Sequence, residues 1–306
     1  MSLLVVGSVA LDTVETPFGT IKEGLGGSAT YFSTAASFFT DVQLVAVIGE
    51  DFPEEHIRFL KERKVDLEGL ERNMGKTFRW QGEYGYQLNE AKTLKTDLNV
   101  FELFRPKLPT AYTKAPYLFL GNIDPTIQLD VMKQVVAPKV IACDTMNFWI
   151  SGNRDGLLKT LAGVHILMIN EGEARALSGE FNLVKAAKVI LSLGPKTLIV
   201  KRGEYGALMF NDNKIFAVPA YPLESVFDPT GAGDSFAGGF MGVIAQNADR
   251  ANISDATLRQ AAIYGSVMAS FCVEAFSLDR MRSLTQDDIN RRYLAFKDLT
   301  GYEYTA

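Results

Sequence analysis

Histidine and cysteine are scarce in this 306-residue chain, with two of each. His56 sits in a charged stretch and His165 opens an apolar run, so neither has the neighbours a histidine-based metal centre needs. Cys143 and Cys272 lie in apolar surroundings without metal-ligand spacing, which argues against zinc and against a disulfide. Two buried free thiols in a reducing cytoplasm are expected. Basic runs are also missing, and the formal charge of −5 argues against nucleic acid as a partner. No uninterrupted apolar stretch reaches membrane-spanning length, and Met1-Ser2-Leu3-Leu4-Val5-Val6-Gly7 has no basic n-region, so neither a membrane span nor a signal peptide is expected. A Gly-Lys-Ser/Thr phosphate loop is absent, as is a Gly-x-Gly-x-x-Gly after the first apolar run, which lowers both common nucleotide-fold readings. No linker or internal repeat divides the chain. With 47% hydrophobic residues it has ample material for a core, and residues 1–306 read as a single domain.

What is present is a regular alternation. Apolar runs at Leu3-Val6, Leu44-Ile48, Tyr117-Leu120, Val140-Cys143, His165-Ile169 and Leu198-Val200 read as buried parallel strands. Helical stretches at Ser28-Phe39, Pro53-Arg63, Ile127-Val136, Glu171-Ser178 and Leu183-Leu193 supply the crossovers. The pattern predicts a doubly wound α/β fold, a Rossmann-type, mainly parallel sheet. Two further strands, Ala207-Phe210 and Lys214-Val218, precede helices at Ser235-Ala245, Ser254-Val273 and Thr285-Lys297. Two segments break the alternation, Thr13-Lys22 and the region from Thr77 to about 100. In the second, Phe78, Trp80, Gly82, Tyr84 and Tyr86 alternate with Arg79, Gln81, Glu83 and Gly85, the period of a strand with one apolar face. That face would cover a ligand as a small β-sheet lid or form a homodimer contact.

The chemistry concentrates in Asp228-Pro229-Thr230-Gly231-Ala232-Gly233-Asp234, just before a small, apolar helix. Gly231, Ala232 and Gly233 let a turn point backbone N–H groups at an anion, and a helix N-terminus adds its dipole. Asp234 would repel that anion, which suits a general base acting on an attacking hydroxyl; the plain alternative is a helix N-cap. Asp12 follows the first strand, where open α/β sheets bind ligands, and an acid there binds hydroxyls. Gly26 and Gly27 either admit a polyol to the backbone or merely turn the chain. Asp144-Thr145-Met146-Asn147 follows another strand, and Asn170-Glu171-Gly172-Glu173 the next. Asn170 and Glu173 could together hold Mg²⁺ through water and touch phosphate, or form a capping box. Lys201-Arg202-Gly203-Glu204-Tyr205-Gly206 offers cationic and glycine elements to a nucleotide, or is a plain β-turn.

Taken in order, these segments resemble the ribokinase-like, or PfkB, family of carbohydrate kinases over nearly the whole chain. Asp228 to Asp234 is similar to the second signature of that family and the Gly26-Gly27 region to the first. The resemblance implies a Rossmann-like body with a β-sheet lid, using ATP and Mg²⁺. It implies Asp234 as catalytic base, Gly231, Ala232 and Gly233 as anion hole, and Glu173 with Asn170 as the motif that positions Mg²⁺ and phosphate. Lys201, Gly203 and Gly206 fall on the nucleotide side. Asp12, Gly26, Gly27, Tyr31 and Asn122 fall on the substrate side, and Asp228 and Thr230 at a monovalent-cation position such as one for K⁺. Tyr31 stands where many members carry Asn, which points away from ribose itself. Pro229 replaces a commoner Thr, and Val273-Glu274-Ala275-Phe276-Ser277 lacks a usual glycine, so the cation site and adenine wall are expected to differ. The implied activity is transfer of the γ-phosphate of ATP to a hydroxyl of a sugar or sugar-like small molecule. A nucleoside kinase of the same fold is the alternative, and a non-catalytic sugar-binding regulator is a third reading that retention of Asp234 opposes.

Overall fold

The computed structural model describes residues 2–212, 214–247 and 253–301. Its body is a nine-stranded sheet and its lid a four-stranded one. In chain order the strands are β1 Ser2–Val6, β2 Ala10–Thr16, β3 Gly19–Gly26, β4 Asp41–Gly49, β5 Val65–Asn73, β6 Phe78–Tyr84, β7 Ala91–Asp97, β8 Tyr117–Leu120, β9 Val140–Cys143, β10 Ile166–Asn170, β11 Thr197–Lys201, β12 Ala207–Asn211 and β13 Lys214–Val218. The helices are α1 Ser28–Ala36, α2 Glu54–Glu62, α3 Pro125–Gln134, α4 Asn147–Gly152, α5 Arg154–Leu161, α6 Glu171–Ser178, α7 Leu183–Leu191, α8 Ala232–Gln246, α9 Asp255–Cys272, α10 Asp279–Arg282 and α11 Gln286–Thr300.

The body sheet runs β13-β12-β11-β10-β9-β8-β1-β4-β5. Strands from β5 to β11 pair in parallel, and β12 and β13 add an antiparallel edge. Each central strand is buried on both faces, which is why its sequence shows no polar alternation. Leu3 and Val5 face one core with α1, α8 and α9, while Leu4 and Val6 face the other with α3, α5 and α7. The apolar, glycine-rich run of α8 exists for close packing: a Cβ on Gly238 would lie 2.4 Å from the Phe32 carbonyl oxygen, and one on Gly239 2.8 Å from that of Tyr264. Helix α8 is thereby wedged between α1 and α9.

The lid runs β3-β2-β6-β7, with β2 and β6 parallel and the outer pairs antiparallel. Both segments that broke the α/β alternation are therefore strands of one separate sheet. In the β2–β6 ladder Ala10, Asp12 and Val14 stand opposite Phe78, Trp80 and Gly82, so all six share a face. That face points to the body, where Phe78 stacks on Phe101 and Thr16 Oγ1 donates to the Phe227 carbonyl. The opposite face carries Thr13, Arg79, Gln81, Lys95 and Asp97 and is polar. The apolar alternation stops at Tyr84; Tyr86, expected to extend it, lies in the loop beyond and is 88% exposed. Strand β5 was not expected, because Val65–Asn73 is an edge strand rich in charge. Both cysteines are buried and free. His165 ends just before β10 and accepts the Ile141 N–H at Nδ1 (3.0 Å), a structural role. No helix among the described residues is long and apolar enough to cross a membrane.

Candidate active site

The site lies along the carboxyl ends of β1, β9, β10 and β11, under the lid. Helix α8 begins at Ala232, three residues earlier than its apolar pattern indicates, so Asp234 falls in its first turn. The N-cap is Gly231, in the left-handed region at φ 74°, and no side chain caps this helix. Asp234 is thus not the N-cap, which removes the plain alternative for it. A Cβ on Gly231 would lie 2.3 Å from the Tyr31 ring, so the turn rests directly on that ring. Tyr31, expected against the substrate, is instead buried beneath the turn at 2% exposure. Of the three small-residue amides, that of Ala232 donates to the Pro229 carbonyl (3.1 Å). The Gly233 amide belongs to the first helical turn, whose N–H groups have no partner within the helix.

Lys201, at the end of β11, reaches this turn. Its Nζ lies 2.8 Å from Asp144 Oδ2 and 2.9 Å from where a Cβ on Gly233 would stand. Asp144 follows β9, is 5% exposed, and also accepts the Thr145 N–H. Its place after a strand is legible in the sequence; its partner is not, since an acid after one strand and a lysine at the end of another meet across the sheet crest. Lys201 is held above its ordinary pKa chiefly by Asp144, Glu173 and Asp234, against burial. Burial and Asp144 push Asp234 up to about 7, with Lys201 opposing.

Asn170 and Glu173 form the capping box of α6: Asn170 Oδ1 accepts the Glu173 N–H (2.8 Å), and Glu173 Oε2 accepts the Asn170 N–H (2.7 Å). The structural alternative for this pair therefore holds. Glu173 is buried, raised to about 7 by desolvation and Asp144, and a capping box leaves its second oxygen uncommitted. Among the described residues no three acids, histidines or cysteines gather as direct metal ligands. A hard divalent cation held mainly by water and phosphate fits such a set: oxygen donors and more negative charge than one lysine neutralises.

Asp12 is 6% exposed and accepts the Gly27 N–H; burial, Asp228 and Asp234 push it up to about 7. A Cβ on Gly26 would lie 1.9 Å from Asp12 Oδ2, and one on Gly27 2.5 Å from the Ser8 carbonyl oxygen. These glycines therefore make room for the chain's own carboxylate and backbone. Asp228 Oδ1 accepts the Thr230 N–H (2.9 Å) and Oδ2 the Ser277 N–H (3.1 Å), so a monovalent ion there would share an occupied carboxylate. Thr230 Oγ1 donates to the Tyr84 hydroxyl of the lid (3.3 Å). Asn122, after β8, is held by Trp149 Nε1 (3.1 Å) and lies beside Met146.

A cavity of about 690 Å³ adjoins Lys201 and Gly233 and extends between Gly203, Gly206, Leu223 and Val273. It is large enough for a nucleotide. The lid loop closes one side: Asn89 Oδ1 accepts the Glu204 N–H (3.3 Å) and occupies the space a Cβ on Gly203 would take.

Asp12, Glu173 and Asp234 hold their protons more tightly folded than unfolded, so their contribution to stability is present below about pH 4 and lost as pH rises to about 7. Burial lowers His56 and His165, which act the opposite way over this range, so the test is a difference: in urea melts the ligand-free wild type should lose more stability from pH 5 to pH 8 than Asp234→Asn, and equal losses would contradict the raised pKa of Asp234.

The chain matches the pfkB family of carbohydrate kinases over residues 2–283 and belongs to that family. It is 30% identical to the cytidine kinase of Thermococcus kodakarensis over 247 residues, 79% of this chain and 87% of the relative. Among solved structures it is similar to the nucleoside kinase of Methanocaldococcus jannaschii (TM-score 0.73, 20% identity, 96% of this chain and 98% of the other). It is also similar to a putative ribokinase II of E. coli in complex with ATP and Mg²⁺ (TM-score 0.77, 20% identity, 96% and 99%). The body and lid derived above are the fold these kinases share.

Proposed function

We propose that this chain transfers the γ-phosphate of ATP to a hydroxyl of a sugar or nucleoside held between Asp12 and Asp234. The observation that carries this reading is the first turn of α8, where the buried carboxylate of Asp234 and the helix-start amide of Gly233 share one turn with the Lys201 ammonium against it. Asp12 binds acceptor hydroxyls, and Asp234 takes the proton of the attacking one. The Gly233 amide and the Lys201 ammonium face the charge that builds on the phosphoryl oxygens. Glu173 and Asn170 would hold Mg²⁺ through water, and when bound it neutralises phosphate charge. Gly203 and Gly206 line the nucleotide side. A monovalent cation such as K⁺ is assigned to Asp228 and Thr230, where it shares the carboxylate with the Thr230 and Ser277 amides. The relatives named above support ATP, Mg²⁺ and this acceptor class.

The test is ADP release coupled to an indicator enzyme, run over free sugars and nucleosides with Mg²⁺ and ATP. Acceptor-dependent release is expected; no release with any of them would overturn the kinase reading.

A further inference from the structure

We propose that the indole of Trp80 is the platform on which a planar ring of the acceptor stacks, which makes the acceptor a nucleoside rather than a free sugar. This rests on the kinase reading above and names the substrate class of its acceptor side. Trp80 stands opposite Asp12 in the β2–β6 ladder, on the body-facing side of the lid. Two residues on, Gly82 leaves an empty position, and the indole lies down over it: a Cβ there would be 2.2 Å from Trp80 Cη2 and 2.4 Å from Cζ2. The ring is therefore flat against the strand instead of standing upright from it.

The indole Nε1 donates to Thr93 Oγ1 of β7 (3.2 Å), which fixes the ring in that orientation. This bond also decides what the free face can recognise. The N–H is the ring's one polar group, and with it spent on Thr93 the upper face offers π surface alone. A sugar offers that face only its C–H groups, whereas a nucleobase lays a π face of its own on it. Trp80 remains partly exposed while Asp12 and Val14 on the same face are buried. The platform is flanked by groups suited to the rest of a nucleoside. Asp12 beside it receives ribose hydroxyls, and Tyr84, farther along the same strand, ties the lid to Thr230 next to the catalytic turn.

The experiment reads binding and turnover separately. The chain has two tryptophans, and cytidine or adenosine added without ATP is expected to quench emission while ribose does not. W80F should lose most of that quench, and any change that remains belongs to Trp149, whose Nε1 holds Asn122. In ADP release, W80A should raise KM for the nucleoside by about 10- to 100-fold with little change in kcat, and W80F, which keeps a ring, by less. Any slow turnover of ribose should respond to W80A by a smaller factor than turnover of the nucleoside. G82A retains the tryptophan but lifts it, and should raise the nucleoside KM in the same way. ATP binding by each variant, measured calorimetrically, reports that the body is folded. An unchanged quench in W80F, or equal KM shifts for ribose and nucleoside, overturns the platform. If no acceptor releases ADP the kinase reading falls, and the quenching titration still decides whether a base sits on Trp80.

Discussion

Asp234→Asn is expected to lower kcat by about two to four orders of magnitude, the usual contribution of a positioned general base. Affinity for ATP should hardly change, because the amide keeps the shape of the carboxylate and removes a negative charge facing phosphate. Folding should not suffer either. Asp234 is raised to about 7 by burial and by Asp144, so in the ligand-free protein its charge is a cost to the native state at pH 8. The variant should therefore melt at the same temperature as wild type or slightly higher, the pattern of a site that sacrifices stability for function. In wild type, kcat/KM should fall as pH drops through the region where Asp234 takes up its proton, and this acid limb should vanish in the variant's residual rate. Near-normal turnover in Asp234→Asn would refute the assignment of the base.

Lys201→Met should cost about 10²- to 10³-fold in kcat, the scale seen when one preorganised donor to a transition-state charge is removed. Its ammonium is held at 2.8 Å by Asp144 and lies against Gly233, so on the proposed reading it would meet the transferring group without rearrangement. Lys201→Arg should recover part of the loss, since the charge survives while the longer fork fits the pocket poorly. Asp144→Asn should give a milder defect, because the lysine stays charged but loses the partner that aims it. A second readout separates this from simple disruption. Without Lys201 the carboxylate of Asp234 loses an attractive neighbour, and the acid limb of the pH profile should move to higher pH. If Lys201→Met changes only KM for ATP, the lysine is a nucleotide anchor and takes no part in the transfer.

The body of the fold was legible because buried parallel strands leave continuous apolar runs, as in Leu3-Leu4-Val5-Val6 and Ile166-Leu167-Met168-Ile169. Strand β5 was not, since an edge strand such as Val65–Asn73 is held by backbone pairing with β4 and needs no apolar sequence. The alternation of Phe78, Trp80, Gly82 and Tyr84 announced one face of a strand but could not say which body that face would meet. Only the pairing of β6 with β2 brings it beside Asp12. In the site, each element was visible on its own strand end, yet the meeting of Lys201 with Asp144 spans 57 residues and depends on sheet order. Tyr31 was misplaced for a related reason: from sequence it follows Gly26-Gly27 closely, but one helical turn carries its ring under Gly231. The box of Asn170 and Glu173 shows that a local structural motif and a ligand-facing position can be the same residues.

The lid is fastened to the body at two places that the proposed reading gives to different substrates. Both lie at one end of β6: Tyr84, its last residue, meets Thr230 on the acceptor side of that reading, and Asn89 in the loop beyond meets Glu204 on the nucleotide side. The two fastenings are close together in the chain, so a movement that broke one would strain the other. On that reading donor and acceptor would share one closure, and an enclosed ATP would be sheltered from stray water only when the acceptor side is shut as well.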